Sequence, residues 1–434
     1  MQVGIDAISA HIPPHYFPVR ELAVLRQIDP DKLEKGLGLS AMSLVEPEQD
    51  ATDLAAQALI ALLQENPTVL PRVGRIYMGS ESHVDGAKPT LSYALSKVET
   101  ALGQPGCFNA CDVVDMTFAC IAGVDAMLSC VEYVRLNPDH CAIAVASDLA
   151  IYSEGSAGEY TQGAAAVAVL ISANPRLLVL EKELGIGYAG VEDFHKPLQR
   201  FQRAALAQEL GAALNPASDS AFWSSPKTQV WVHSIEPVFD GPYSNACYTE
   251  RLQEALTRYE NQCGESWLQR FDKMAFHLPY AFQGRRMGAS LWLNALRPTA
   301  QWADLMAEIG PEPSQEEART EWEKKASKSQ MYRQFVAQRM LGAERASSAM
   351  GNGYTASIFI ALLGIMAQAI TEQEELSGRA VGFLAYGSGS KGKVFRAVFQ
   401  GDWKQSPAAQ TLWTRLKERS PIDTETYLRW HRAR

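Results

Sequence analysis

Three side chains in this sequence have the types and settings for acyl chemistry: Cys120, Glu81 and His277. In DVVDMTFACIAGVDAMLSCVEYVRL, residues 112–136, the apolar Val124, Met127, Leu128, Val131 and Val134 recur at helical spacing, which predicts a buried helix starting near Ala119 or Cys120. A cysteine in a first helical turn meets unpaired backbone N–H groups and the positive end of the helix dipole. Both favour the thiolate and can lower a cysteine pKa from about 8.5 toward neutrality. The same position also suits a small packing residue, the reading that fits Cys130.

Glu81 and Asp85 lie in MGSESHVDGAKP, just past a run that reads as a buried strand. In open α/β folds ligands bind at the carboxyl ends of strands, and a carboxylate held there among apolar walls can act as a base. A solvated loop carboxylate is the plainer alternative. His277 follows the apolar run KMAF in FHLPYAFQGRR, with Arg285 and Arg286 close behind. Taken alone, a single histidine is as readily structural as catalytic.

These residues need a scaffold, and short β-rich runs alternating with helical patterns supply an α/β one. QVGIDAISAHI, RIYMGSES, CAIAVASDLAIY and GAAAVAVLIS read as strands, and ATDLAAQALIALLQ as a helix. After residue 173 a second series follows: RLLVLEKEL, KMAFHL, the helix TASIFIALLGIMAQAI, then AVGFLAYG and KVFRAVF. This layout divides the chain into halves at 1–174 and 175–434. The stretches 199–230 and 305–345 are the most linker-like, and the charged PEPSQEEARTEWEKKASKSQ reads as a solvated helical excursion.

Two glycine motifs imitate nucleotide sites. GSGSKGK, residues 387–393, has phosphate-loop spacing, but Val394 follows where Ser or Thr would hold Mg²⁺, and KVFRAVF alternates like a strand. Strand, glycine turn, strand is a hairpin. GIGYAG, residues 185–190, satisfies G-x-G-x-x-G, yet Pro197 arrives too soon for the long helix a dinucleotide site needs.

The bulk numbers set limits. A chain of 434 residues with 47% hydrophobic and 21% charged content is globular, and its net charge of −9 argues against a broad nucleic-acid surface. The N-terminus lacks a basic segment followed by an apolar core, and no apolar run reads as a membrane span. Seven cysteines without CxxC pairs or zinc spacing point to reduced thiols in a cytoplasmic protein, with no metal site.

In order along the chain, the motifs resemble those of the 3-hydroxy-3-methylglutaryl-CoA synthase family of the thiolase superfamily, over nearly the whole length. ESHVD matches the family's glutamate motif at Glu81, FACIAG its nucleophile motif at Cys120, and FHLP its histidine motif at His277. GEYTQGAAAVAV, the D-F-x-x-P of Asp193 to Pro197, GNGYTAS around Asn352 and YGSGS around Ser388 add to the match.

The resemblance implies a five-layer α-β-α-β-α sandwich of two similar halves and an acyltransferase of the mevalonate, isoprenoid-forming route. Cys120 would carry an acetyl group from acetyl-CoA, Glu81 would remove a methyl proton, and His277 would hold acetoacetyl-CoA. Asn352, Ser388, Gly387 and Tyr386 would line the acyl pocket, and Arg285 and Arg286 would meet the CoA phosphates. It also implies a cytoplasmic homodimer that uses CoA thioesters as substrates, with no separate cofactor, membrane or nucleic-acid partner. The alternatives are an acyl-carrier-protein-dependent synthase that installs β-branches in polyketides, or a non-catalytic partner subunit. Departures from the pattern are Ile121 for a tyrosine, Phe282 for a lysine, and His195 and Lys196 for tryptophan and arginine; the 199–230 stretch also looks longer than usual.

Overall fold

Runs of small and β-branched apolar residues form nine strands of one mixed sheet in the computed structural model, which describes residues 1–209, 211 and 224–434. These are β1 (Val3–His11), β2 (Val73–Gly79), β3 (Asp112–Met116), β4 (Cys141–Ala150), β5 (Gly163–Ala173), β6 (Leu178–Tyr188), β7 (Lys273–Phe276), β8 (Ala380–Gly387) and β9 (Lys391–Phe399). Their spatial order is β7-β8-β9-β6-β1-β5-β4-β2-β3. The sheet is continuous, but β1 and β6 share only the Gly4–Val179 and Ile5–Leu178 pairs, a short seam between two portions. Part of the 199–230 stretch, Leu210 and residues 212–223, lies outside the described residues.

Strand alternation sends side chains to both faces, and five layers result. On one face of the first portion, Ile143, Val145, Ala166 and Ala168 pack with α1 (Ala51–Glu65) and α2 (Thr90–Leu102). On the other face, Ala142, Ala144, Ala146, Val167 and Val169 pack with α3 (Ala122–Leu136). Next to α3 lies the turn Tyr354–Ala356, which leads into α5 (Ser357–Thr371); these two helices make the central layer. The second portion is covered on its far side by α4 (Gly241–Cys263), against β6, β8 and β9. The fold is the α/β five-layer sandwich of thiolase type.

Both decoy motifs have structural explanations. The glycines of GIGYAG lie on and just past β6, and a Cβ on Gly185 would come within 1.8 Å of the Ala255 carbonyl oxygen, so glycine here admits α4. GSGSKGK spans the turn between antiparallel β8 and β9. Its two lysines reach into the central layer to Asp125 in the first turn of α3: Lys391 at 2.5 Å and Lys393 at 2.7 Å.

Two expectations need correction. Helix α3 begins at Ala122, so Cys120 precedes it by two residues. Ala119, at φ 43°, turns the chain out of helical geometry immediately before the cysteine. The segment Tyr354–Thr371 is long and apolar enough to cross a membrane by composition, with mean hydropathy 1.7, yet 83% of it is buried in the protein's own central layer. The 305–345 region is helical as anticipated, with helices at Gln301–Ile309, Glu316–Ala326 and Gln330–Arg339 and the start of Leu341–Met350. All seven cysteines are free.

Candidate active site

Strand ends and the central layer bring the chemistry together. β2 ends at Gly79, which places Glu81 two residues beyond it, and the Cys120 segment lies on the adjacent approach to α3. The Cys120 thiol donates a hydrogen bond to Glu81 Oε1 at 2.9 Å. The other carboxylate oxygen, Oε2, lies 3.6 Å from the Lys196 ammonium. Both the cysteine and the glutamate side chain are buried.

A second carboxylate fixes this arrangement from β4. Asp148 Oδ1 accepts from the Glu81 backbone N–H at 2.7 Å, from Ser82 Oγ at 2.9 Å and from Ser80 Oγ at 3.0 Å. Its Oδ2 accepts from the Thr355 N–H at 3.1 Å and from the Thr355 hydroxyl. One fully buried aspartate therefore ties the Glu81 loop to the turn that begins α5.

His277 follows β7, and its Nδ1 meets the hydroxyl of Ser357, the first residue of α5. Its backbone carbonyl accepts from the Tyr248 hydroxyl at 2.6 Å, and Tyr248 stacks on Tyr386 with ring centroids 4.2 Å apart. Asn352 is buried, and its side-chain oxygen accepts from the Tyr354 N–H at 2.8 Å. The Tyr386 hydroxyl donates to buried Asp193 at 2.8 Å, and Asp193 also accepts from the Gly389 N–H at 2.7 Å. Gly387 presses on the nucleophile segment: a Cβ there would stand 2.6 Å from the Phe118 carbonyl oxygen and 2.9 Å from the Ile121 nitrogen. Ser388 lines a pocket of about 1240 Å³ with Glu81, His83, Phe194, His195 and Lys196.

The electrostatics reverse one expectation. The Cys120 thiol is held well above its ordinary pKa, first by burial and then by the Glu81 carboxylate, so the helix terminus does not by itself supply a thiolate. Burial also raises Glu81, and Asp148 adds to the rise, while Lys196 and the Cys120 hydrogen bond oppose it. His277 is pushed down to about 3 by burial, which keeps the imidazole neutral. With Ser357 assigned as donor to Nδ1, the ring proton sits on Nε2, which makes the ring a neutral hydrogen-bond donor.

The two arginines fare differently from the expectation of free phosphate-binding cations. Arg285 is committed to the buried Glu344 carboxylate through both guanidinium arms and lies 3.8 Å over the Phe282 ring. Its charge already has a partner, so it is not a free cation for phosphate. Arg286 has no carboxylate partner among the described residues: it donates to the Gly36 backbone carbonyl at 2.7 Å, an exposed contact, and lies 5.5 Å over the Tyr280 ring. Asp85, beside Glu81 in the sequence, turns away to cap its own loop and accept from Tyr93 at 2.9 Å.

Asp148, Thr355, Ser357 and Tyr248 were not singled out from the sequence. A signal existed for Asp148, a lone carboxylate inside the apolar run CAIAVASDLAIY. Lys196 stood out only as a departure from a pattern. No cluster of metal-binding side chains occurs among the described residues.

Comparison with known proteins matches residues 1–176 to the N-terminal and residues 230–431 to the C-terminal model of hydroxymethylglutaryl-coenzyme A synthase. The hydroxymethylglutaryl-CoA synthase of Haloferax volcanii is 28% identical over 98% of this chain and 90% of its own length. That of Enterococcus faecalis is 24% identical over 98% and 91%. Among solved structures, MvaS in complex with 3-hydroxy-3-methylglutaryl coenzyme A superposes with a TM-score of 0.79, at 27% identity over 99% of this chain and 91% of that one. The curacin biosynthetic HMG synthase in complex with acetyl donor-ACP shares the fold, with a TM-score of 0.74 and 20% identity over 99% and 88%.

Proposed function

Because the chain belongs to the hydroxymethylglutaryl-CoA synthase family, we propose that it condenses an acetyl group held on Cys120 with acetoacetyl-CoA, giving hydroxymethylglutaryl-CoA and free CoA. The observation that carries this reading is the buried 2.9 Å hydrogen bond from the Cys120 thiol to Glu81.

Each step follows from a group in place. As the sulfur attacks the acetyl thioester, Glu81 takes the thiol proton and returns it to the departing CoA sulfur, leaving acetyl-Cys120. Glu81 is then an unprotonated, desolvated base beside the acetyl methyl, and it removes a proton to form the enolate. The enolate carbon bonds to the ketone carbon of acetoacetyl-CoA, and the new alkoxide takes up the proton that Glu81 had removed, which restores the carboxylate. A neutral His277 can stabilise that oxygen as a hydrogen-bond donor without carrying a charge into the site. Water then cleaves the thioester, releasing product and restoring the thiol.

Asn352, Ser388, Gly387 and Tyr386 shape the acyl pocket in this reading. Asn352 and Tyr386 do so from fixed hydrogen-bonded positions, and Gly387 by admitting the nucleophile segment. CoA thioesters are the substrates, no separate cofactor is assigned, and the working state is a cytoplasmic homodimer on the mevalonate route. One observation favours a second reading, in which the acyl groups arrive on an acyl carrier protein. With Phe282 in place of a lysine and Arg285 spent on Glu344, this segment offers only Arg286 to a nucleotide phosphate.

Acetyl transfer and condensation assayed side by side with acyl-CoA and acyl-carrier-protein substrates test both readings. Mass spectrometry after incubation with acetyl-CoA should show one acetyl group on Cys120 and none in Cys120→Ser. No acetylated cysteine with either donor would sink the enzymatic assignment.

A further inference from the structure

The Glu81 cluster is unbalanced in charge. Two buried carboxylates, Glu81 and Asp148, stand beside a thiol that must lose a proton. Asp148 is satisfied by neutral donors alone: two serine hydroxyls, one threonine hydroxyl and two backbone N–H groups. The groups facing Glu81 are Cys120 from the segment before α3, Asp148 from β4, Tyr152 and Tyr354, and Lys196. Of these, Lys196 alone is a cation.

Its placement is specific. The ammonium lies 3.6 Å from Glu81 Oε2 and 3.5 Å from the Glu81 backbone oxygen, and 4.6 Å over the ring of Tyr354. The lysine side chain is 14% exposed, so it is largely withdrawn from water while it lines the pocket with Ser388. The two Glu81 oxygens are thus divided, with Oε1 accepting from the thiol and Oε2 facing the ammonium. Lysine binds here as a point charge, which suits a carboxylate that must give up one partner and keep the other through the reaction.

We propose that Lys196 is a positioning residue for the condensation, holding Glu81 ionised and oriented so that it can take a proton first from Cys120 and then from the acetyl methyl. The proposal rests on the synthase reading above, and it has a charge logic. When Glu81 accepts the methyl proton, the negative charge moves from carboxylate to enolate. The ammonium beside Oε2 then remains close to the charge in both states. Its pull lowers the proton affinity of Glu81 and of Cys120 alike. Removing it therefore moves the pH needed for Glu81 to ionise upward, and that for Cys120 upward as well wherever Glu81 stays charged.

The test compares Lys196→Met and Lys196→Arg with the wild-type protein, using two readouts against pH. The first is the rate of Cys120 alkylation by iodoacetamide, which needs no substrate; the second is kcat for condensation. In Lys196→Met the alkylation midpoint should rise by about one pH unit or more, and kcat at neutral pH should fall by about 100-fold with partial recovery at higher pH. Lys196→Arg keeps the charge and should restore both readouts to within about fivefold. Superimposable alkylation profiles in Lys196→Met and wild type would overturn the proposal. So would a loss that is flat with pH and not rescued by arginine, since that marks a merely structural role. A shifted alkylation profile in a protein whose wild type makes no product would support the Lys196–Glu81 coupling and overturn the synthase reading instead.

Discussion

The Cys120 thiol and the Glu81 carboxylate face each other across 2.9 Å, so neither sets its ionisation alone. Glu81 is itself a cause of the raised thiol pKa, second to burial. Glu81→Ala therefore removes a proton acceptor and, at the same time, the negative charge that holds the thiol protonated. Acetylation of Cys120, followed by mass spectrometry, should survive to within about tenfold, while condensation falls by roughly 10²–10⁴-fold. The alkylation midpoint of Cys120 should move to lower pH in this variant, opposite to the shift expected when Lys196 is neutralised. Equal loss of both half-reactions would confine Glu81 to acetyl transfer or to a structural role.

Asp148→Asn replaces an acceptor-only group with one that carries its own N–H donors. Five donors converge on the aspartate, so the amide must face at least one of them donor to donor. A stability loss of about 1–3 kcal/mol should appear in urea unfolding, with a fall in kcat larger than any change in KM.

Arg285 and Arg286 should separate cleanly. Arg285→Ala strands the buried Glu344 carboxylate, whose pKa burial already raises, and should cost about 1–3 kcal/mol with KM for acyl-CoA little changed. Arg286→Ala should leave the melting temperature nearly unchanged. If the donor is free CoA, it should raise KM for acyl-CoA roughly three- to tenfold over acyl-pantetheine. Equal effects on the two substrates would remove Arg286 from phosphate recognition.

His277 predicts a specific acid sensitivity. Its folded pKa is about 3 against an ordinary 6.5, so the unfolded chain gains a proton first as pH falls. The stabilisation tied to neutral His277 is complete above pH 6.5 and drains away between 6.5 and 3. The slope is at most about 1.4 kcal/mol per pH unit. His11, lowered to about 4, adds to the same limb. Urea unfolding from pH 7 to 4 should show a shallower decline in His277→Gln than in wild type. An unchanged slope would mean that the imidazole is protonated in the folded state.

Much of this site could be read from the chain because its key residues sit in short local contexts. ESHVD follows a strand, FACIAG precedes an apolar helical pattern, and GSGSK joins two alternating runs into a hairpin. Ionisation was not legible, because it depends on partners brought together only by folding. Helix-dipole reasoning made Cys120 a ready thiolate, whereas Glu81, 39 residues earlier, and burial hold it as a thiol. Likewise nothing local to FQGRR shows that Arg285 is engaged by Glu344, 59 residues later. Lys196 was visible as an oddity in DFHKP, but its target in another loop was not.

The bonds of Asp148 have a consequence for how the molecule comes to be active. Its carboxylate lies on β4 near Glu81, yet two of its five donors come from Thr355 at the entrance to α5, more than two hundred residues on. Asp125 on α3 makes a similar connection to Lys391 and Lys393 on β9. Neither acid has its full set of partners until late-synthesised segments have docked on early ones. A nascent or partly unfolded chain thus holds a loose glutamate and an unoriented cysteine. It has no means of drawing acyl groups from thioesters and wasting them as free acid, so catalytic competence arrives only as the last step of assembly.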